Sequence, residues 1–114
     1  EIGKLLNKET IFSERINDKF ILRRNFNIPV NSNVLIVEDV ITTGKSSIEC
    51  SELIKDSKAN LVGFACIIDR SGADCIIKSK IVSQIEIDIP TFTKDNIPEH
   101  LSKIKAVKPG SRGL

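Results

Sequence analysis

Residues 34–69 constrain the fold more than any other part of the chain, because two apolar runs enclose one amphipathic stretch. The runs "VLIV" and "LVGFACIID" are continuous and rich in β-branched residues, which is typical of strands buried on both faces of a parallel sheet. Between them, "KSSIECSELIKDSK" places Ile48, Leu53 and Ile54 on a common side, which indicates a short amphipathic helix. Strand, loop, helix and strand at this spacing predict a βαβ unit.

Shorter elements flank this unit. Residues 2–6 are predicted to form a turn of helix, and "ETIFSE" a short strand. The polar stretch "RINDKFILRRNFNIPVNSN" predicts a hairpin that turns at its Asn-Asp pair. "SQIEIDIP" alternates isoleucine with polar residues, which favours a half-buried strand at the edge of the sheet. We therefore expect one α/β domain over residues 1–114, with a mainly parallel sheet and a loosely held tail, "KPGSRGL".

Composition argues against several classes of protein. Seventeen Lys and Arg residues against fifteen Asp and Glu residues give a formal net charge of +2, and aromatic residues make up 4% of the chain. Both values argue against nucleic-acid binding, which needs basic surface and stacking platforms. With no bilayer-spanning apolar run and no leader, we expect a cytoplasmic protein without a membrane partner. Cys50, Cys66 and Cys75 lack metal-ligand spacing and are expected as reduced thiols.

Two polar clusters follow the two predicted buried strands. "EDVITTGKSS" comes after the first strand and "DRSG" after the second. Because βαβ units bind ligands at the carboxyl ends of their parallel strands, both clusters are expected on one rim of the sheet.

The first cluster predicts a ribose 5-phosphate site. Its strand-to-helix turn and first helical turn offer unpaired N–H groups and the positive end of the helix dipole, which favour a phosphate. Gly44 permits close approach of the backbone. Glu38 and Asp39 would repel that phosphate, so they are expected to face sugar hydroxyls or Mg²⁺. Further hydroxyl donors come from Thr42, Thr43, Ser46 and Ser47.

Two alternatives to a ribose-phosphate site remain open for this cluster. "GKS" also occurs in the nucleotide-triphosphatase P-loop, but that motif requires glycine at the position of Asp39. A strand followed by a helix cap and a solvated acid pair is a purely structural alternative. Adjacent acids directly after an aliphatic strand are hard to explain by stability alone, which favours a ligand site.

The stretch "VLIVEDVITTGKS" resembles the phosphoribosyl-pyrophosphate motif of the type I phosphoribosyltransferases, with four hydrophobic residues, two acids, two hydrophobic residues and a Thr-Thr-Gly turn. Within that family the chain is similar to orotate phosphoribosyltransferases, through "IFSERINDKFILRRNF", "DRSG", "IDIPTF" and the terminal "KPGSR". The resemblance covers essentially the whole chain and implies a Rossmann-like core that is truncated at its N-terminus. The upstream first strand, pyrophosphate loop and hood would then be missing.

The resemblance implies a role for each matching residue. Glu38 and Asp39 match the catalytic acid pair that holds the ribose hydroxyls of phosphoribosyl pyrophosphate. The matching ribose-phosphate loop comprises Glu38, Asp39, Val40, Ile41, Thr42, Thr43, Gly44, Lys45 and Ser46. Thr42 and Arg70 match positions that contact orotate, whose carboxylate a guanidinium can bind through two hydrogen bonds. A salt bridge between Arg70 and Asp69 or another surface acid is the structural alternative. The resemblance also implies that Mg²⁺ arrives with phosphoribosyl pyrophosphate, without direct metal ligands from the chain.

Residues 13–26 match the mobile loop that closes over the pyrophosphate in this family, often that of the neighbouring subunit. Arg15 and Lys19 are the catalytic candidates in this loop, which also carries Arg23 and Arg24. Four such cations are also typical of a solvated hairpin face. One branch of the family has a histidine in this loop, whereas the only histidine here is His100, which we expect at the surface.

The implied reaction transfers phosphoribosyl from phosphoribosyl pyrophosphate to a ring nitrogen of orotate, giving orotidine 5′-monophosphate and pyrophosphate in pyrimidine synthesis. The implied partners are these substrates and a second subunit of a homodimer. Two rivals share the acid pair: an effector-binding transcriptional regulator and a purine-type phosphoribosyltransferase. No basic stripe supports the regulator, and "DRSG" favours orotate. Because the first core strand would be missing, we expect the chain by itself to be inactive.

Overall fold

The computed structural model describes residues 1–23, 26–105 and 107. Within these residues, one antiparallel pair of strands and one three-stranded parallel sheet form. The elements in chain order are α1 (Ile2–Leu6), β1 (Ser13–Ile16), β2 (Lys19–Leu22), β3 (Asn33–Ile41), α2 (Lys45–Asp56), β4 (Asn60–Asp69), β5 (Ile81–Glu86), a short 3₁₀ helix (Lys94–Asn96) and α3 (Glu99–Ser102).

The predicted βαβ unit is confirmed by β3, α2 and β4. Strands β3 and β4 pair in parallel from Asn33 opposite Asn60 to Ile41 opposite Asp69, with a register shift between Val34 and Leu35. Helix α2 contacts both strands. β5 adds to β4, again in parallel, and gives the order β3-β4-β5. The carboxyl ends of all three strands therefore meet at one edge, as expected of an α/β Rossmann-like core.

Only one face of this sheet is covered by the described residues. The core consists of Ile28, Ile36, Ile41, Ile54, Phe64, Cys66 and Ile77. On the opposite face, Leu35, Val37 and Ile67 are 40%, 41% and 53% exposed. The prediction that both apolar strands are buried on both faces is therefore wrong for the described structure. The reason is that successive strand residues alternate between faces, and α2 packs against one face only.

The predicted hairpin is confirmed and is formed by β1 and β2. Its turn is the Asn-Asp pair, where Asn17 and Asp18 both have positive φ, at 49° and 62°. Two left-handed residues give a two-residue turn whose twist matches that of the flanking strands. The predicted strand "ETIFSE" is wrong over residues 9–12, because the ladder ends where Ser13 pairs with Leu22.

The edge position predicted for "SQIEIDIP" is confirmed, but the bounds and burial differ. β5 begins earlier, at residue 81, and ends at residue 86, although the N–H of Ile87 still donates to the carbonyl of Asp69 at 2.8 Å. Ile85, Ile87 and Ile89 are all exposed, so the alternation does not mark a half-buried face here. The chain then leaves the sheet, which brings residues 88–91 to its ligand-binding edge.

The remaining predictions concern the two ends of the chain. The helical turn at residues 2–6 is confirmed, and His100 lies exposed in α3, as expected. Arg24 and the tail "KPGSRGL" (residues 108–114) lie outside the described residues. In the described ranges, no helix is both long enough and apolar enough to cross a membrane.

Candidate functional site

The turn between β3 and α2 is open to a ligand at its backbone. Helix α2 starts after Gly44, whose φ of 74° is left-handed, and no side chain caps the helix. The N–H of Lys45 lies 3.4 Å from Thr43 Oγ1, which is too long for a strong hydrogen bond. Uncapped first-turn N–H groups and the helix dipole together favour an anion.

A cleft of about 50 Å³ lies at this turn. It is lined by Glu38, Val40, Ile41, Thr42, Thr43, Gly44, Lys45, Ser46 and Ser47. This volume admits a group of several heavy atoms, the size of one phosphate. Every residue expected in the ribose-phosphate loop except Asp39 therefore lies around one small, polar cleft.

The two adjacent acids of β3 do different things. Glu38 is half-buried and accepts a hydrogen bond from the hydroxyl of Ser47, in the first turn of α2. Asp39 is exposed, and its Oδ1 accepts from the N–H of Val40 at 2.7 Å. Because neighbouring strand residues point to opposite faces, the carboxylates diverge. Glu38 ties the strand to the helix, while Asp39 is presented to solvent.

A second, larger cleft of about 230 Å³ adjoins the first, and Thr42 and Thr43 line both. Its other lining residues come from the segments that follow β4 and β5: Arg70, Gly72, Ala73, Asp74, Cys75, Asp88, Ile89, Pro90 and Thr91. The sequence prediction that "EDVITTGKSS" and "DRSG" share one rim agrees with this arrangement.

Arg70 is the cation of the second cleft. Its N–H donates to the carbonyl of Ile41 at 2.8 Å, which fixes the residue beside the end of β3. Its Nε is buried and has no hydrogen-bond acceptor among the described residues. A buried guanidinium nitrogen without a partner is costly. Because Arg70 lines the second cleft, its guanidinium is the group there that suits an anionic ligand.

The structural alternative for Arg70 was an ion pair with Asp69. Asp69 is buried, and its Oδ1 instead accepts from the N–H of Ser71 at 2.7 Å. The ion pairs found in the described part of the chain do not include Arg70. The guanidinium therefore remains available to the cleft.

Arg15 and Lys19 are the catalytic candidates of the hairpin among the described residues. Arg15 forms an ion pair with Glu49 of α2, donates to the carbonyl of Asp18 at 3.2 Å and stacks over the ring of Phe20 at 4.5 Å. Lys19 is exposed at the start of β2. Neither Arg15 nor Lys19 lines a described cleft. The structure thus gathers the loop around Glu38 with Arg70, whereas Arg15 reaches that loop only through Glu49, which also pairs with Lys45.

Sequence reasoning left residues 73–75 and 88–91 out of the predicted site. The signal for residues 88–91 was available, because Pro90 ends an alternating run, and the carboxyl end of a parallel strand reaches the same rim. The sequence predicts Ser47 only as a hydrogen-bond donor to the phosphate. Its bond to Glu38 joins two elements and has no local sequence signal.

Metal and thiol chemistry have little support from the chain's own side chains. In the described ranges, no three His, Cys, Asp or Glu side chains come together as metal ligands. Mg²⁺ commonly takes one or two carboxylates together with substrate phosphates, and exposed Asp39 suits that role. The three cysteines are free, and burial raises the pKa of the Cys66 thiol, which keeps it neutral.

Comparison with known proteins identifies the family. Residues 5–100 match the family described as "Phosphoribosyl transferase domain". The orotate phosphoribosyltransferase of Methylorubrum extorquens (strain PA1) is 44% identical over 115 residues, covering 100% of this chain and 59% of that protein. The orotate phosphoribosyltransferase of Maricaulis maris (strain MCS10) is 38% identical over 114 residues, with the same coverage. This chain therefore spans about three fifths of the length of these relatives. The resemblance found in the sequence is confirmed, and the chain belongs to the phosphoribosyl transferase domain family.

Proposed function

We propose that this chain forms part of an orotate phosphoribosyltransferase, which transfers phosphoribosyl from phosphoribosyl pyrophosphate to orotate in pyrimidine synthesis. Two observations support the substrate classes. The uncapped turn before α2 suits the 5-phosphate of the ribose, and we call residues 42–47 the phosphate cradle. The adjoining cleft suits a small planar acid. Relatives that match the whole chain carry the name of this enzyme.

The observation that carries the proposal is Arg70 itself, which lines the second cleft and takes part in no ion pair found among the described residues. Orotate has a carboxylate that can accept two parallel hydrogen bonds from a guanidinium. Thr42 lies in the wall between this cleft and the cradle. A base held by Arg70 would therefore stand next to a ribose whose phosphate occupies the cradle.

The reaction breaks the bond between the anomeric carbon and the pyrophosphate oxygen, and the electron pair leaves with pyrophosphate. A ring nitrogen of orotate then forms the new bond to that carbon. Because positive charge develops on the ribose, catalysis depends on holding both substrates in line and on stabilising the leaving group. The cradle fixes the phosphate, and Asp39 accepts hydrogen bonds from the ribose hydroxyls. Glu38 positions β3 against α2 through Ser47.

Bound together with phosphoribosyl pyrophosphate, Mg²⁺ would supply positive charge that stabilises the leaving group. Asp39 would be the chain's contact to the ion or to the ribose it accompanies. Arg15 and Lys19 of the hairpin meet the pyrophosphate of the neighbouring subunit in a cytoplasmic homodimer. These assignments follow from the family resemblance, and the exposure of both hairpin residues is compatible with them.

The chain is proposed to be one portion of a single phosphoribosyltransferase core domain. The edge of β3 that faces away from β4 has no partner strand among the described residues, and its outer sheet face is apolar. An unpaired edge and an exposed apolar face are features that proteins normally cover. Additional strand, hood and pyrophosphate loop from the rest of the protein would cover them.

The test is orotate consumption, followed by ultraviolet absorbance, with phosphoribosyl pyrophosphate and Mg²⁺. The full-length protein should turn over orotate, and we expect that the 114-residue chain does not, because the proposal assigns the leaving-group loop to another part of the protein. Adenine and hypoxanthine serve as control acceptors. Turnover of a purine in place of orotate would refute the proposed substrate, and equal rates for the two chains would refute the proposed division of the domain.

A further inference from the structure

The segment that follows β4 packs against the phosphate cradle and the end of β3 before it. Three contacts link them. The N–H of Arg70 donates to the carbonyl of Ile41 at 2.8 Å, and the N–H of Ile76 donates to the carbonyl of Thr43 at 2.9 Å. The third contact is made by a side chain, that of Ile77, with Gly44.

The contact between Ile77 and Gly44 leaves no room for a side chain at position 44. A Cβ built on Gly44 would lie 2.6 Å from Ile77 Cγ1 and 2.8 Å from Ile77 Cδ1, closer than real side chains approach. Gly44 is buried and has a φ of 74°, so its conformation is already one that other residues rarely adopt. Ile77 therefore sets how far the turn can sink toward the core.

Ile77 is also anchored independently of the cradle. It is 7% exposed and belongs to the same core cluster as Ile36, Ile54 and Phe64. Ile77 is held in place by the core and lies against the backbone of Gly44. Because the core is closely packed, it thereby fixes the position of the turn. The first-turn N–H groups of α2 start one residue after that glycine.

We propose that Ile77, which lies outside the phosphate-binding motif, is a positioning residue for the phosphate cradle. It touches no ligand and acts by fixing the backbone at Gly44, so that the N–H groups of the first turn converge on the phosphate. The inference rests on the proposed function, because the ligand is the 5-phosphate of the ribose. Binding geometry is sensitive to displacements below 1 Å, so a small change at Ile77 should be measurable.

The first test compares two variants with the same chemical change. Ile77→Val removes one methyl group beside Gly44, and Ile54→Val removes one from the far end of α2, where the side chain is 3% exposed. Both should lower thermal stability by similar amounts. In the full-length protein, Ile77→Val should raise the Kd for ribose 5-phosphate and the KM for phosphoribosyl pyrophosphate about threefold, and Ile54→Val by less than about 1.5-fold. The KM for orotate should change little in either variant.

The second test uses compensation. Gly44→Ala should weaken ribose 5-phosphate binding strongly, because the new Cβ collides with Ile77. Ile77→Ala removes both colliding atoms, so the double variant should bind better than Gly44→Ala alone. The backbone strain at φ 74° is the same in both backgrounds and cancels in this comparison.

The outcomes separate the inference from the proposed function. If the wild-type protein binds no ribose 5-phosphate, both are refuted. If the wild type binds it and Ile77→Val behaves like Ile54→Val, or Gly44→Ala is equally harmful in both backgrounds, only the positioning role of Ile77 is refuted. Selective loss in Ile77→Val together with compensation in the double variant would establish it.

Discussion

The phosphate cradle and the β1–β2 hairpin are both expected to meet the same substrate, but they are held in different ways. The cradle rests on buried groups, since Ile41 and Ser47 are each 1% exposed and Gly44 packs against Ile77. Arg15 in the hairpin is held by contacts that are partly exposed to water, including its ion pair with Glu49. Under the proposed function, the cradle would be fixed before the substrate arrives, and the hairpin would be the part that can move.

The energies of the two kinds of contact differ accordingly. In the Arg15–Glu49 pair the side chains are 36% and 33% exposed, and such pairs contribute about 0–1 kcal/mol after screening by solvent. The hydroxyl of Ser47 donates to the Glu38 carboxylate in a partly buried setting, where a charged hydrogen bond contributes about 1.5–3 kcal/mol. Under the proposed function, the weaker contact would suit a loop that opens and closes, and the stronger contact would suit a turn that binds the phosphate.

The largest effect is expected for Asp39→Asn, at the end of β3 that leads into the phosphate cradle. The variant should lower kcat/KM for phosphoribosyl pyrophosphate by about a hundredfold in the full-length protein, because the ribose loses a charged acceptor. Thermal stability should change little, since Asp39 is exposed. Asp56→Asn, at the end of α2, is the matched control and should leave kinetics unchanged. Activity and stability falling together would speak against a ligand role for Asp39.

The next effect concerns the second cleft. Arg70→Ala should raise the Kd for orotate about ten- to a hundredfold, the equivalent of one charged hydrogen bond of about 1.5–3 kcal/mol. Ribose 5-phosphate binding should stay nearly unchanged. Calorimetric titration with each ligand measures both constants. Arg70→Lys keeps the charge but loses the planar pair of donors, so partial recovery is expected. Equal losses for both ligands would remove Arg70 from the orotate site.

A smaller effect is expected when the cradle is loosened through Ser47. Ser47→Ala removes the donor to Glu38 and should lower the free energy of unfolding by about 1–2 kcal/mol. It should also raise the KM for phosphoribosyl pyrophosphate a few-fold. The control is Ser51→Ala, because that hydroxyl bonds only within α2, to the carbonyl of Ile48. If both variants gave the same KM, the bond between strand and helix would not matter for binding.

The smallest effect is expected at the hairpin. Glu49→Gln breaks the ion pair with Arg15, so amide hydrogen exchange in residues 13–22 should speed up about twofold at low salt and converge with wild type at high salt. Glu52→Gln is the control, since Glu52 pairs with Lys55 on the same helix and away from the hairpin. Exchange that is insensitive to Glu49→Gln would show that the hairpin is held as firmly as the cradle.

The parts of the fold that could be predicted from the sequence are those encoded over short distances. The apolar run at residues 34–37, the helix from Lys45 and the turn at Asn17 each depend on neighbours within a few positions. The exposure of Val37 and Ile67 could not be predicted, because an aliphatic run does not indicate whether one or both faces of the strand are covered. The turn chemistry of residues 42–47 predicts the phosphate side of the site, which stays a prediction.

The rest of the site depends on contacts between segments far apart in sequence. Asp88 joins the cleft of Arg70 only because β5 runs parallel to β4, and a single alternating run does not reveal the direction of its pairing. From the sequence, Ile77 is predicted only to be a core residue, and its proximity to Gly44 is a property of the folded chain. Such contacts are set by the assembled sheet and have no local pattern.

Thr42 and Thr43 form a wall that the two clefts share, and this has a consequence for inhibitor chemistry. In the part of the chain that the structure describes, these two residues line both the turn before α2 and the space beside Arg70. One molecule that carries a phosphate at one end and a planar carboxylate at the other could therefore span both clefts over these two threonines. Joining the two groups makes the second binding event intramolecular, so such a compound should bind more tightly than either half alone.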